Sequence, residues 1–376
     1  MSAALVELVS VGAQDAYIKG DPQVSFFRQN FKRHTNFALK PERLDYIGTF
    51  AGGNEVVIPI KSKGDLLSYI WIENPGIAIP GNSGDNTALY RHNQPPTEFS
   101  LHIGGQEVVR LDSMFIQGVH NILYQESQAR ASTGVSLGEL KQNATTDNNN
   151  IAGHYRIPFF FSEDWTKALP LVAMQYHEVE LRIKCRPGLD ALTPKVYGMY
   201  AYLDTAEREH FTSTDHEILI TQVQYQPATK SDTSIDLTYF NHPVKALHLV
   251  NGRGATQTWT NSNHFGFDTA SLYINGLALF ENMTNVFHHT VVPENHCSVL
   301  PDDLLQTAPL YTWPFCLTMN KSQPSGTLNF SRIDNAKLTL DGLVEGASSS
   351  TNHRVYAVNY NILRVKDGMA GVAFSN

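Results

Sequence analysis

Four sets of residues in this 376-residue chain have types and spacings that could carry chemistry. Gly134-Val-Ser136-Leu-Gly138 matches G-x-S-x-G, the turn that presents a serine nucleophile. That turn needs a strand entering and a helix leaving, so that the hydroxyl faces an oxyanion hole. Here a polar loop follows, and the match reads as coincidence. His288, His289, His296 and Cys297 offer metal-ligand types close together. Zinc requires ligand pairs at set spacings, and no H-E-x-x-H or second pair stands nearby. In a chain with 15 histidines such a cluster arises without a metal. Gly252-Arg-Gly254 lacks the third glycine of a dinucleotide loop and precedes polar residues, not a helix. N-x-S/T sequons stand at Asn143, Asn282, Asn320 and Asn329. Asn143, in the Asn-rich stretch 143–150, is the one expected to be exposed and is the glycosylation candidate. No catalytic, cofactor-binding or metal-binding residue is expected, and no enzyme.

Composition narrows the classes of function further. A formal charge of −8 argues against a chain that binds nucleic acid as a whole. The one basic run, Arg28, Lys32, Arg33, Lys40 and Arg43 against Glu42, reads as a source of intermolecular salt bridges or solvated turns. Cys185, Cys297 and Cys316 show no C-x-x-C spacing and fit reduced thiols in a cytosolic compartment. No apolar run approaches the ~18 residues of a membrane-spanning helix. The first residues carry an acid, Glu7, inside their apolar stretch and no basic n-region, so no secretory signal is expected.

The elements that would position these residues are mostly strands. Val56-Val-Ile-Pro-Ile60, Leu66 to Ile72 and Phe99 to Ile103 are short, β-branched or aromatic, and bounded by Gly, Pro and Asn. Gly104-Gly105 predicts a hairpin turn into Gln106-Glu-Val-Val-Arg110. Phe115, Val119, Ile122 and Leu123 then recur at helical spacing behind Asp112 or Ser113 as N-cap. Downstream, Thr269 to Leu279 reads as strand, and Phe280, Met283 and Phe287 recur at helical spacing. Thr133 to Gly153 reads as an exposed excursion, expected to point outward and to tolerate insertion. The ending, Val355 to Val365, alternates as a half-buried strand does.

The chain also repeats itself. Pro158-Phe159 is echoed by Pro314-Phe315 at an offset of 156. Val179, Leu181 and Ile183 are echoed by Ala336, Leu338 and Leu340 at 157. Ser100-Leu-His-Ile-Gly-Gly is echoed by Ser271-Leu-Tyr-Ile-Asn-Gly at 171. Offsets that drift by a loop's length predict two copies of one β fold. The expected fold is all-β: two consecutive jelly-roll sandwiches with short helices in the connections. The expected division is an N-terminal arm at 1–36, a first jelly roll at 37–210 and a second at 211–376. The strand pattern itself is expected to begin near Asn54, and the arm is expected to dock on its own sandwich or on something outside the monomer.

Specific phrases carry a resemblance. Gly12-Ala-Gln-Asp-Ala-Tyr-Ile-Lys-Gly-Asp-Pro22, with Phe26-Phe-Arg28 and Arg33-His-Thr-Asn-Phe37, opens the set. Leu169-Pro-Leu, Met174-Gln-Tyr-His-Glu-Val179 and Asp204-Thr-Ala-Glu-Arg208 follow. Gln323-Pro-Ser-Gly-Thr-Leu-Asn-Phe-Ser-Arg-Ile-Asp334, Tyr356 to Arg364 and Gly368-Met-Ala-Gly371 complete it. In order and content they resemble major capsid proteins of the nucleocytoplasmic large DNA viruses. The resemblance implies a double jelly roll, a homotrimer of pseudo-hexagonal outline, and an icosahedral shell around a membrane-bounded DNA core. It implies as partners further copies of the chain, neighbouring capsomers, minor capsid proteins and, through the arm, the inner membrane. No sequence-specific nucleic-acid binding follows from it. The implied location is the outer shell of a virion made and assembled in host cytoplasm. Some relatives carry glycans made by virus-encoded enzymes that need not read the sequon, which weakens Asn143. The chain is short for the family, which points to smaller outward loops. The alternative reading is a jelly-roll carbohydrate-binding protein of the lectin type, suggested by aromatic richness and Asn-rich loops. A cupin-like enzyme would need His-x-His and a third ligand, which the sequence lacks.

Overall fold

The structure is a computed structural model that describes residues 10–29, 31–74, 95–124, 153–228, 233–251, 265–298, 310–345 and 353–375. Met1–Asn36 and Phe37–Asn376 form two compact units. Within the first, the described chain makes one helical turn, Ala16–Lys19. Asp15 accepts from the Gly12 amide at 3.0 Å and pairs with Lys19 at 2.8 Å. Gly20 ends the turn.

The second unit begins with eight strands: β1 (Phe37–Leu44), β2 (Glu55–Ile60), β3 (Leu66–Asn74), β4 (Glu98–Ile103), β5 (Gln106–Asp112), β6 (Gly153–Ile157), β7 (Val179–Lys184) and β8 (Lys195–Leu203). They form two antiparallel sheets, β1-β8-β3-β6 and β2-β7-β4-β5. Strand β1 corrects the expectation that strands begin near Asn54. Pro41 and its charged neighbours hid it, and both suit its place at a sheet edge, where only Leu44 is buried.

The strands that follow are β9 (His216–Ala228), β10 (Ser234–Asp236), β11 (Pro243–Asn251), β12 (Phe265–Gly266), β13 (Thr269–Ile274), β14 (Leu277–Thr284), β15 (Leu310–Pro314), β16 (Leu328–Asn329), β17 (Ala336–Asp341), β18 (Val344–Glu345), β19 (His353–Lys366) and β20 (Met369–Val372). Their main sheets run β9-β19-β11-β15 and β10-β17-β13-β14. Position for position this is the order of the first pair. The two sandwiches are therefore a double jelly roll, as the offset echoes predict. Both echoed prolines close the same strand, Pro158 just after β6 and Pro314 as the last residue of β15.

The echo at 171 is a whole substructure. The hairpins β4–β5 and β13–β14 turn on Gly104-Gly105 and Asn275-Gly276, all four with positive φ, as type I′ turns require. Each hairpin leads into a helix: α1 (Ser113–Phe115, continuing in wide π turns as Ile116–Tyr124) and α3 (Phe287–Val291, continuing as Val292–His296). A third helix, α2 (Thr205–Ser213), joins the sandwiches, capped by Asp204 accepting from Glu207 N at 2.9 Å.

Phe280 and Met283 do not belong to the second helix. They lie on β14, opposite Leu272 and Ala270. A bulge that holds Asn282 at φ 49° inserts an extra residue between them. That extra residue puts positions 280 and 283 on one face and imitates a helical period.

Alternation builds the cores. Val56, Ile58, Phe99, Leu101, Leu181 and Ile183 meet Ile70, Ile72, Ile157 and Val196 in the first sandwich. Leu272, Leu338 and Leu340 meet Leu247, Leu249, Trp313 and Val355 in the second. Strand β19 departs from the half-buried expectation. Val355 and Ala357 enter the second core, whereas Tyr356, Val358, Leu363 and Val365 join the cluster of the first. The outer face of the β9-β19-β11-β15 sheet is covered by the first sandwich, so β19 is buried on both faces from Val355 to Asn361.

Candidate functional site at the sandwich junction

The chemistry-bearing residues marked in the sequence do not converge. Ser136, Asn143 and Gly252-Arg-Gly254 lie outside the described residues. His288, His289 and His296 each donate Nδ1–H to a backbone carbonyl, of Thr312, Leu310 and Cys316, at 3.0, 2.8 and 2.8 Å. They pin α3 along β15 and its continuation. Among the described residues no three His, Cys, Asp or Glu side chains gather to hold a metal. Asn320 exchanges hydrogen bonds with Ser298, and Asn329 accepts from Ser331 N, so both side chains already brace backbone. Asn282 sits in the β14 bulge.

The polar groups that do converge lie between the two sandwiches. Asp112 ends β5, is 3% exposed, and caps α1 by accepting from Phe115 N at 2.7 Å. Its carboxylate also accepts from Arg354 Nη1 at 2.6 Å and from the Tyr356 hydroxyl at 2.8 Å, both on β19. Burial pushes the Asp112 pKa up, against the pull of Arg354, the Phe115 amide and Tyr356. Three donors, one of them a guanidinium, face the carboxylate. Arg354 in turn lies 4.2 Å from the ring centre of Tyr225 on β9. One carboxylate thus starts a helix in the first sandwich and anchors the central strand of the second.

Other bonds cross nearby. Gln222 Nε2 donates to Val108 O at 2.6 Å. His248 on β11 bridges the Tyr124 hydroxyl at 2.8 Å and Thr312 Oγ1 at 3.0 Å. Burial holds His248 neutral, with a pKa lowered to about 3. A methyl group on Gly118 would stand 2.8 Å from Val250 Cγ1, so α1 passes close over β11.

At the far end of the seam two quoted phrases meet. Tyr176 N donates to Gly368 O at 3.0 Å, and His177 Nδ1 lies 2.9 Å from Ala370 O. Gly368 has φ 78°, and a Cβ there would stand 2.5 Å from the Tyr176 ring. Gly368→Ala is expected to cost about 1–2 kcal/mol in urea unfolding, mostly from the left-handed backbone. Adding Tyr176→Ala should recover only the steric part. A Gly368→Ala protein as stable as the parent would show that the β19–β20 turn bears no load.

Sequence reasoning had seen Asp112 only as a cap and had passed over Arg354, Lys245 and His248. A usable signal was present. In Val244-Lys-Ala-Leu-His-Leu-Val250 a lysine and a histidine interrupt an otherwise apolar strand, which marks a strand buried on both faces.

Comparison with known proteins follows this geometry. The profile described as large eukaryotic DNA virus major capsid protein matches residues 207–371, and that described as major capsid protein N-terminus matches residues 25–213. The major capsid protein of Pyramimonas orientalis virus is 31% identical over 417 aligned residues, covering all of both chains. That of Paramecium bursaria Chlorella virus 1 is 30% identical over 455, again covering all of both. Among solved structures, the quasi-atomic capsid of the same Chlorella virus aligns with TM-score 0.72 at 26% identity, covering 94% of this chain and 100% of the other. The Faustovirus major capsid protein shares the fold at TM-score 0.65 and 9% identity, covering 95% of each chain.

Proposed function

Because the chain belongs to the large eukaryotic DNA virus major capsid proteins, we propose that it builds the viral shell from homotrimers of pseudo-hexagonal outline. The observation that carries this is the repeated strand order. Two like sandwiches per chain give six like lobes per trimer, a shape that tiles a hexagonal lattice. A ring of three identical chains closes through heterologous contacts, each pairing two different patches. The work is geometric, and no reaction is assigned to it. The family match sets aside the carbohydrate-binding alternative. The protein is a component of the virion capsid; assembly in host cytoplasm is part of the proposal, as is the division of the body at 210/211 within α2.

The arm is the proposed contact with the inner side of the shell, where minor capsid proteins and the membrane would lie. Tyr17, Phe26, Phe27 and Phe31 are 95%, 94%, 98% and 78% exposed, and Arg28, Lys32 and Arg33 stand among them. Exposed rings beside cations suit acidic, partly apolar partners. Asn143 remains the proposed glycan acceptor, in a loop proposed to point outward.

Size-exclusion with light scattering tests the assembly. A mass of three times 41.9 kDa is expected; a monomer would overturn the trimer. A chain lacking residues 2–20 should still fold and form trimers yet fail to form shells, and normal shell assembly by it would remove the arm from the account.

A further inference from the structure

We propose that the cavity between the two sandwiches binds a phosphate group carried on a small molecule. The cavity encloses about 410 Å³. One wall comes from the first sandwich: His120 and Tyr124 of α1, Arg156 of β6 and the turn at 162–164. The other comes from the second: Lys245 of β11 and residues 320–322.

Three buried polar atoms of the lining residues have no hydrogen-bond partner: His120 Nδ1, Arg156 Nε and Ser322 Oγ. Buried polar groups are normally paired, and each exception asks for an occupant. All three belong to residues that line one space.

The charges around it are unequal in a telling way. Arg156 gives Nη2 to Ser162 O at 2.6 Å and lies 5.8 Å from the Tyr69 ring centre, with no carboxylate partner among the described residues. Lys245, 4% exposed, gives one proton to Met319 O at 3.1 Å and lies over the rings of Tyr124 and Tyr360 at 4.6 and 5.5 Å. Lys321 adds a third cation at the exposed rim. The two acids of the lining are already engaged. Glu163 accepts from Lys167 at 2.8 Å and from the Thr221 hydroxyl, and Asp164 accepts from Thr166 N and Oγ1 at 2.8 and 2.9 Å. Burial alone would raise the Glu163 pKa, but Lys245 and Lys167 hold it below the usual range, so it stays ionised.

The free donors therefore outnumber the free acceptors, and they come from both walls. A planar carboxylate offers two oxygens in one plane. A phosphate group offers three oxygens in three directions and nearly two negative charges, which suits a guanidinium on one wall with an ammonium and a hydroxyl on the other. The volume falls within the ~300–1,000 Å³ of small-molecule pockets and leaves room for an organic group beyond the phosphate. This inference stands on the cavity alone and does not depend on trimer formation.

Calorimetric titration and thermal shift of the full chain provide the test, with sodium chloride at matched ionic strength as control. The probes are inorganic phosphate, adenosine monophosphate and glycerol 3-phosphate, which separate a free ion, a nucleotide and a lipid headgroup as the source. Saturable binding with a raised melting temperature is expected for at least one. Arg156→Gln should weaken it by about tenfold or more, and the exposed Lys321→Gln by about threefold. Lys321→Gln keeps the test open if Arg156→Gln does not fold. Equal response to phosphate probes and chloride would overturn the proposal, as would binding unchanged in the folded variants.

Discussion

Replacing Asp112 with alanine is expected to cost roughly 3–5 kcal/mol of unfolding free energy, the range for removing one partner of a buried ion pair. Three losses coincide. The first turn of α1 loses its cap, Arg354 keeps a largely buried charge without its partner, and the Tyr356 hydroxyl loses its acceptor. Asp112→Asn keeps an acceptor for the cap and should fall between alanine and the parent. Arg354→Met leaves the more deeply buried Asp112 carboxylate without its cation, so it should cost about as much as Asp112→Ala. Urea unfolding of the four proteins checks this order. An Asp112→Ala protein within about 1 kcal/mol of the parent would mean that apolar packing alone holds the seam.

Acid should loosen the molecule well above the pH at which carboxylates titrate. His248 and His288 are fully buried, and burial lowers their pKa values from 6.5 to about 3 and about 4. Between those values and 6.5 the unfolded chain binds more protons than the folded one, so stability falls as pH falls. The contribution is fully present above 6.5 and fully lost below the folded values. Burial also lowers His120 to about 4, and for the three histidines together roughly 4–6 kcal/mol should disappear between pH 7 and pH 5. Urea midpoints measured across that range report the loss. His248→Gln should reduce the slope by about a third, whatever it does to stability at neutral pH, because the protons of His120 and His288 still count. A flat profile between pH 7 and 5 would show that these rings are charged or hydrated in the folded state.

What could be read from the sequence, and what could not, follows from the physics of each element. Strands with one wet face announce themselves. Val56, Ile58 and Ile60 alternate with exposed or half-buried neighbours, as do Val179, Leu181 and Ile183. The duplication was legible because β4–β5–α1 and β13–β14–α3 keep one spacing, set by turn and hairpin geometry. Three things escaped. β1 is a charged edge with a proline, so it has no apolar alternation to read. The Asn282 bulge turned a two-residue period into a false helical one. The pairing at the junction was invisible because it links residues more than 200 positions apart, as Asp112 and Arg354 are. No local pattern encodes such a partner.

The double burial of β19 sets the order in which this chain can mature. β8 completes the first sandwich at Leu203, yet the apolar surface that Tyr356, Val358, Leu363 and Val365 cover remains open until residues 353–366 have been made. The same strand is the central partner of β9 and β11, so the second sandwich cannot close earlier either. During synthesis the first half therefore waits, folded but sticky on one side, for the last strands of the polypeptide. Such late, long-range closure is slow, and the interval is when the chain is open to aggregation. Crowded synthesis of many copies would make that interval, more than the final stability, the step at which yield is decided.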